Sequence, residues 1–286
     1  MILVTGATGT NGKEVVRLLS EAGESVRALV RDREKAAAIA LPGVEIVEGD
    51  FAKPDTLEAA LQGVEKALML PPIAPDMIEL QRNFVDAAKR AGTRYVVKFS
   101  AFGADPDSPI ALGKWHGQGE KLLAESGLSY TFLQPNGFMQ NMFNFTESIK
   151  ATGEFYQPAG DAKVSHVDAR DISAVAAAVL LEETDHVGKT YLITGPEALT
   201  FSEVAEIMTQ AVGKPVTYIN PSPEEFKQAL LSWQQPEWFA DAMNELFGIY
   251  RMGYGAVVTD VVETVAKKKP FTFQQFANDH ASLFQG

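Results

Sequence analysis

Apolar residues along this chain keep two rhythms, and the rhythms alternate. Short, mostly apolar runs at residues 2–4, 25–30, 44–47, 67–70, 95–99 and 130–133 read as strands of a buried sheet. Between them, apolar positions recur every three or four residues. After Gly12, Val15, Leu18, Leu19 and Ala22 share one helical face, and within residues 77–91 Leu80, Phe84 and Ala88 do the same, closed by Gly92. A further helix at 113–126 ends at Gly127. Strand three stops at Glu48-Gly49-Asp50, strand four at Pro71-Pro72 and strand six at Pro135. Repeated strand-helix units of this length predict a parallel sheet with helices on both faces, an α/β Rossmann-type doubly wound fold.

The second half is less regular. It predicts an aromatic- and Met-rich helix at 138–150, strands at 164–167, 191–193 and 216–219, a helix at 172–181, and a mostly helical stretch at 223–250. Thr200 with Glu203, and Thr272 with Gln275, are capping boxes opening helices that run to Val212 and over 273–283. Residues 1–150 are expected to form mainly the dinucleotide-binding domain. Residues 151–286 are expected to complete the sheet and to form a smaller α/β C-terminal lobe that binds substrate over the carboxyl ends of the strands.

Composition narrows the function. With 46% apolar residues in 286, the chain can bury a sizeable core. A formal net charge of -12 disfavours nucleic acid as a partner. Lys267-Lys268-Lys269 is the one basic run and reads as a solvated helix end. There is no cysteine, so no disulfide or thiol chemistry. The first strand at residue 2 leaves no room for a signal peptide, and no apolar run approaches the ~18 residues of a membrane span, so a cytoplasmic protein without membrane contact is expected. His116, His166, His186 and His280 lack zinc-motif spacing, so no metal is expected. The oligomeric state stays open.

The chemistry starts at the first strand-helix junction. Gly6, Gly9 and Gly12 are spaced G-x-x-G-x-x-G between an apolar strand and a helix. Such a loop lets backbone approach a pyrophosphate and turns the helix N-terminus toward it. A Walker loop is excluded, because Ala7 stands at its first glycine position and Glu14 follows Lys13. The residue after strand two separates NAD from NADP. Here it is Arg31, with Arg33 beyond it, which favours the 2′-phosphate of NADP(H). Asp32 counts the other way, and Arg31 could be a plain surface charge, so NAD(H) stays possible.

Gly-Ala-Thr-Gly-Thr-Asn-Gly at 6–12, Leu-Val-Arg-Asp at 29–32, Glu-Gly-Asp-Phe at 48–51, Phe-Ser-Ala at 99–101 and Gln-Pro-Asn-Gly-Phe-Met-Gln-Asn at 134–141 are all present. Together they make the chain resemble, over essentially its whole length, the NmrA-like branch of atypical short-chain dehydrogenases. The members it is most similar to are quinone, triphenylmethane and azo-dye reductases. The resemblance implies a pyrophosphate site of Thr8, Thr10 and Asn11 with the glycines. It puts Arg31 at the 2′-phosphate, Asp50 and Phe51 beside the adenine, and Leu70, Pro71 and Pro72 under the nicotinamide-side ribose. It further places Ser100, Ala101 and Phe102 near the nicotinamide, with Pro135 and Asn136 flanking the ring. Phe138, Met142 and Phe145 are either walls of a substrate pocket or ordinary core.

One departure bears on mechanism. Typical short-chain dehydrogenases carry Tyr-x-x-x-Lys, and no tyrosine here has lysine four residues later. The corresponding helix has His116 and Glu120, which share a face at i,i+4. His116 is the candidate catalytic residue, as a general acid or as a positioning group. No G-x-S-x-G elbow suggests a hydrolase. The expected function is an NADPH-dependent reductase passing hydride to a quinone-like, azo or conjugated-cation acceptor, which needs little enzymatic acid. The alternative is a non-catalytic redox sensor that binds NAD(P)(H) and regulates a protein partner.

Overall fold

The structure is a computed structural model that describes residues 1–285. Seven strands form the central sheet. In chain order they are β1 (Ile2–Val4), β2 (Val26–Val30), β3 (Val44–Glu48), β4 (Lys66–Met69), β5 (Tyr95–Phe99), β6 (Ser129–Pro135) and, after two short strands β7 (Glu154–Tyr156) and β8 (Lys163–Val164), β9 (Thr190–Ile193). Their spatial order is β3-β2-β1-β4-β5-β6-β9, and every pairing is parallel. This is the doubly wound order, reversing between β1 and β4, with one strand added at the far edge. The short strands β10 (Leu199–Thr200) and β11 (Thr217–Ile219) pair with β8 and β7 away from that sheet.

Helices α1 (Thr10–Glu21), α2 (Pro54–Leu61), α3 (Met77–Ala91), α4 (Ala111–Ala124), α5 (Thr146–Thr152) and α6 (Ala169–Leu181) follow the strands. The C-terminal part adds α7 (Phe201–Val212), α8 (Pro223–Ser232), α9 (Glu237–Arg251), α10 (Val261–Val265) and α11 (Phe273–Phe284). One core joins α1, α6 and α10 to a sheet face through Val15, Val16, Leu19, Ile172, Val175 and Val262. A second joins α2, α3 and α4 to the other face through Leu57, Leu61, Phe84 and Leu123. A third, aromatic core of Phe155, Phe201, Phe247, Phe273 and Phe276 holds the C-terminal helices together.

Most predicted elements are present, and the differences have physical causes. Helix α1 starts at Thr10, before the last glycine of the loop, and its buried face uses Val16 while Ala22 stays exposed. Gly92 closes α3 at φ 77°, a conformation that favours glycine. Both capping boxes form. The helix expected at 138–150 splits into a 3₁₀ segment, Met139–Phe145, and α5. Met139, Met142 and Phe145 are the buried residues of that segment, and a three-residue spacing lines up on one face only at three residues per turn. The strand expected at 164–167 shrinks to β8 because successive residues change partner. Ser165 N–H donates to Gly255, and Val167 bridges to Phe138. The stretch 223–250 breaks into two helices, with Gln234 at φ 60° and Pro236 capping α9. Lys268 is not a solvated end. Its ammonium bonds the wholly buried Asp171 carboxylate at 2.6 Å and lies 4.2 Å over the Phe271 ring. No described helix is long and apolar enough to cross a membrane.

Candidate functional site

The site lies at the carboxyl ends of the strands, where β1 and β4 diverge. Thr5, just past β1, ties the two together: its Oγ1 donates to Leu68 O at 3.1 Å and accepts from Leu70 N at 2.8 Å. The chain turns at Gly6 (φ 59°), whose carbonyl accepts from Gly9 N–H. Gly9 is the N-cap of α1, is extended (φ −79°, ψ 173°), and offers no side-chain cap. The N–H groups of the first turn are therefore left for a ligand. Gly12 packs against the turn so closely that a Cβ there would stand 2.1 Å from Gly6 O. These features fit a pyrophosphate. Asn11 is turned inward, accepting at long range from Ser173 of α6, while Thr10 is exposed and Thr8 half-buried.

The loop forms one wall of a cleft of about 450 Å³. Gly9, Thr10, Asn11, Gly12 and Leu70 face Phe138, Gln140, Asn141, Phe143 and Asn144 across it. Of the three residues read either as pocket walls or as ordinary core, Phe138 lines this cleft, its ring edge-on to Phe99. For Met142 and Phe145 the pocket reading is corrected to the core one. They point into the aromatic core of the C-terminal helices, and the 3₁₀ turn presents Asn141, Phe143 and Asn144 to the cleft instead. Gln140 is held from both ends, donating to Asp168 at 3.0 Å and accepting from Ala169 N at 2.9 Å.

Arg31 is exposed and follows β2 directly, at the carboxyl end of that strand, with no ion-pair partner among the described residues. Asp32, which spoke against a phosphate, caps the next turn by accepting from Glu34 N at 3.0 Å and pairs with Lys35 at 3.6 Å. Arg33 donates to Ile46 O at 2.6 Å. Asp50 accepts from Ala52 N at 3.0 Å. Phe51 is 7% exposed, and its ring stacks on Phe84 (5.4 Å, 16°) in the core of α2 and α3. Pro71 is half-buried and Pro72 exposed. Ala101 and Phe102 are half-buried on the rim, with Phe102 N–H donating to Pro135 O at 3.0 Å. Asn136 faces inward, donating to Ser165 Oγ and Gly255 O, both at 2.8 Å.

Beneath Ser100 and Ala101 lies a polar cluster whose centre the sequence reasoning missed. Tyr95, Val97 and Phe99 join the core beside α1 and α6, while Val96 joins the opposite core, so Lys98 and Ser100 point toward α4 by alternation. Helix α4 can approach because it is glycine-rich. A Cβ at Gly117 would stand 2.1 Å from Asp105 C, and one at Gly119 2.0 Å from Gln81 Oε1. Lys98, 0% exposed, donates to Ser100 Oγ at 3.0 Å and lies 3.3 Å from His116 Nδ1. Ser100 donates to Glu120 Oε1, and Gln134 Nε2 donates to both Glu120 oxygens, at 2.9 and 3.1 Å. Burial lowers Lys98 to about 7, with Glu120 pulling the other way. Burial, then the nearby Lys98 charge, holds His116 well below its ordinary value, so it is neutral. Burial raises Glu120 above the usual carboxylate range against its hydrogen bonds. A lysine interrupting the apolar run of β5 two residues before Ser100 was the available signal.

These shifts carry a stability prediction. Native Lys98 titrates near 7 and its ordinary value is 10.5, so between those values the unfolded chain binds a proton that the native protein does not. The stability of the wild type relative to Lys98→Met is expected to rise across that interval. A difference in melting free energy that stays constant with pH would refute the buried, shifted ammonium.

Comparison with known proteins follows the same outline. The model of the NmrA-like family matches residues 1–277. The NAD(P)H azoreductase of Xenophilus azovorans is 44% identical over 284 residues, 99% of either chain. The NADPH-dependent quinone oxidoreductase of Escherichia coli, solved with NADPH, superposes with a TM-score of 0.88 at 32% identity, covering 98% of this chain and 99% of that one. The Citrobacter sp. triphenylmethane reductase, solved with NADP(H), gives 0.84 at 29% identity over 98% of this chain and 100% of that one. The chain belongs to the NmrA-like family.

Proposed function

We propose that this protein is an NADPH-dependent reductase that passes hydride to a flat conjugated acceptor, a quinone, an azo compound or a triphenylmethane-type cation. The observation that carries this reading is the uncapped glycine turn at α1 facing Phe138 and Phe143 across a cleft, with a free arginine after β2. The reductases among its relatives support it. When bound, NADPH would supply a hydride; a quinone or azo acceptor would also need a proton, available from water, whereas a triphenylmethane-type cation is neutralised by the hydride alone.

The chain's own part is binding and orientation. Gly9, Thr10, Asn11 and Gly12 present first-turn N–H groups to the pyrophosphate. Arg31 meets the 2′-phosphate, while Asp32 is occupied as a cap. Leu70 lines the cleft from the β4 side, and Phe138 and Phe143 offer aromatic surface to the acceptor. Ala101, Phe102 and Pro135 would lie on the nicotinamide side. His116 is the candidate hydrogen-bonding group there. The regulatory alternative is less supported, because the azoreductase and quinone oxidoreductase relatives are 44% and 32% identical over nearly the whole chain.

The test is NADPH oxidation against a panel of quinones, azo dyes and triphenylmethane dyes, with NADH in parallel. Turnover with at least one acceptor and preference for NADPH are expected. Arg31→Ala is expected to cut that preference about 10-fold, the effect of losing one exposed charge-assisted contact of roughly 1.4 kcal/mol. No turnover above background with any acceptor would overturn the reading, and equal use of the two nucleotides by the wild type would overturn the role of Arg31.

A further inference from the structure

The buried cluster under Ser100 has an order that follows from counting protons. While charged, Lys98 has donors and no acceptor, and it points the donors at Ser100 Oγ (3.0 Å) and His116 Nδ1 (3.3 Å). Ser100 has a single hydroxyl proton, and that proton goes to Glu120. Gln134 fills both Glu120 oxygens from the β6 side. Ser100 therefore has nothing left to donate to a ligand, although it stands just past the strand that leads to the site. The imidazole is different. Its Nδ1 must accept from Lys98, and Nε2 has no hydrogen bond within the protein among the described residues. Nε2 is also not one of the buried polar atoms stranded without a partner, so it reaches water.

We infer that Lys98 is a positioning residue that selects the tautomer of His116: its ammonium donates to Nδ1, the imidazole proton is held on Nε2, and His116 thereby presents a hydrogen-bond donor away from the cluster. The ligand chemistry this fits is a neutral or partly negative acceptor atom, such as a carbonyl oxygen or an azo nitrogen. Tyr-x-x-x-Lys places its lysine one helical turn from its donor. Here the cation comes from a strand, β5, and the donor from α4.

The arrangement is sensitive to pH through one group. The titratable side chains facing Lys98 are His116 and Glu120, both from α4. The other polar groups around the cluster do not titrate: Ser100 just past β5 meets Lys98, Gln134 on β6 meets Glu120, and Gln81 on α3 lies beside Gly119 of α4. His116 stays neutral throughout, because burial and the Lys98 charge both oppose its protonation. When Lys98 loses its proton, near pH 7, its amine can accept from Nδ1–H as well as donate to Nδ1. The Nε2–H tautomer is then no longer enforced. The donor is present below that pH and is lost in part above it.

Nitrogen-15 spectra of the histidines in the free, full-length protein test this, with the His116 signals identified by their disappearance in His116→Gln. Between pH ~6 and ~9 the wild type should show the Nε2–H tautomer at the acid end and a growing share of Nδ1–H at the alkaline end. Lys98→Arg keeps a donor that does not titrate and should hold Nε2–H throughout. Lys98→Met should give a mixed tautomer independent of pH. The inference is overturned if the wild type shows Nδ1–H or imidazolium at pH ~6, or a tautomer that ignores pH. Because Lys98→Arg and the wild type decide the matter, failure of the methionine variant to fold does not. The catalytic consequence rests on the reductase reading: kcat should fall as pH rises through 7 in the wild type and stay level in Lys98→Arg. The spectra need no turnover, so an inactive protein with the expected tautomer would remove the reductase reading and leave the tautomer assignment standing.

Discussion

Gly9→Val is expected to lower NADPH affinity by at least about 100-fold, roughly 2.7 kcal/mol, while the melting temperature stays at the wild-type value. The separation of the two effects comes from the backbone. Gly9 is extended, a conformation any residue adopts, and the position is exposed at the mouth of the cleft. A Cβ there meets only Gly6 O, at 3.3 Å, a tight contact that a shift of a few tenths of an ångström relieves. A branched side chain would then occupy the space that the first-turn N–H groups of α1 face. Titration by fluorescence checks the affinity, and a thermal melt checks the fold. Normal binding by this variant would mean that the glycine turn does not hold the phosphates.

Gly12→Ala should fail differently, losing stability and binding together. A Cβ at position 12 would lie 2.1 Å from Gly6 O, 2.7 Å from Gly6 C and 2.8 Å from Ala7 Cα. All three are backbone atoms of the turn, so no side chain can swing away to relieve the clash. Either α1 or the turn must move, and α1 is held through Val15, Val16 and Leu19 in the core it shares with α6. Overpacking of this kind costs about 1–3 kcal/mol, and more where backbone must shift. A lowered denaturant midpoint with unchanged slope is the expected result. A variant as stable as wild type would show that the helix and the turn are not in contact at Gly12.

Much of the frame was legible because it depends on local order in the chain. The apolar runs at 95–99 and 44–47 and the amphipathic run at 77–91 needed only their own spacing to announce a strand or a helix. Capping boxes at Thr200 and Thr272 are contained within four residues. The glycine turn was equally local, because a helix N-terminus that has no side-chain cap is specified by the residues at that terminus. Where a contact reached further, local spacing did not suffice. Phe51 beside Asp50 looks like a rim residue until Phe84 of α3 takes its ring. Lys268 looks like part of a basic run until Asp171, 97 residues earlier, takes its ammonium. Met142 and Phe145 share the spacing of a helix with Phe138, and only the 3₁₀ geometry turns them to the other side.

The sequence by itself determined the doubly wound α/β frame, the position of the glycine turn and the family motifs that point to a reductase, since each is carried by residues close together in the chain. The tertiary structure alone decided how the site's protons are arranged. Lys98 comes from β5 and Ser100 from the residue just after it, His116 and Glu120 from α4, and Gln134 from β6. Which of them donates, and which is left facing a ligand, depends on distances of about 3 Å between elements and on burial that removes water as a competing partner. No spacing along one segment encodes those two quantities, because both are set only when the sheet closes against α4.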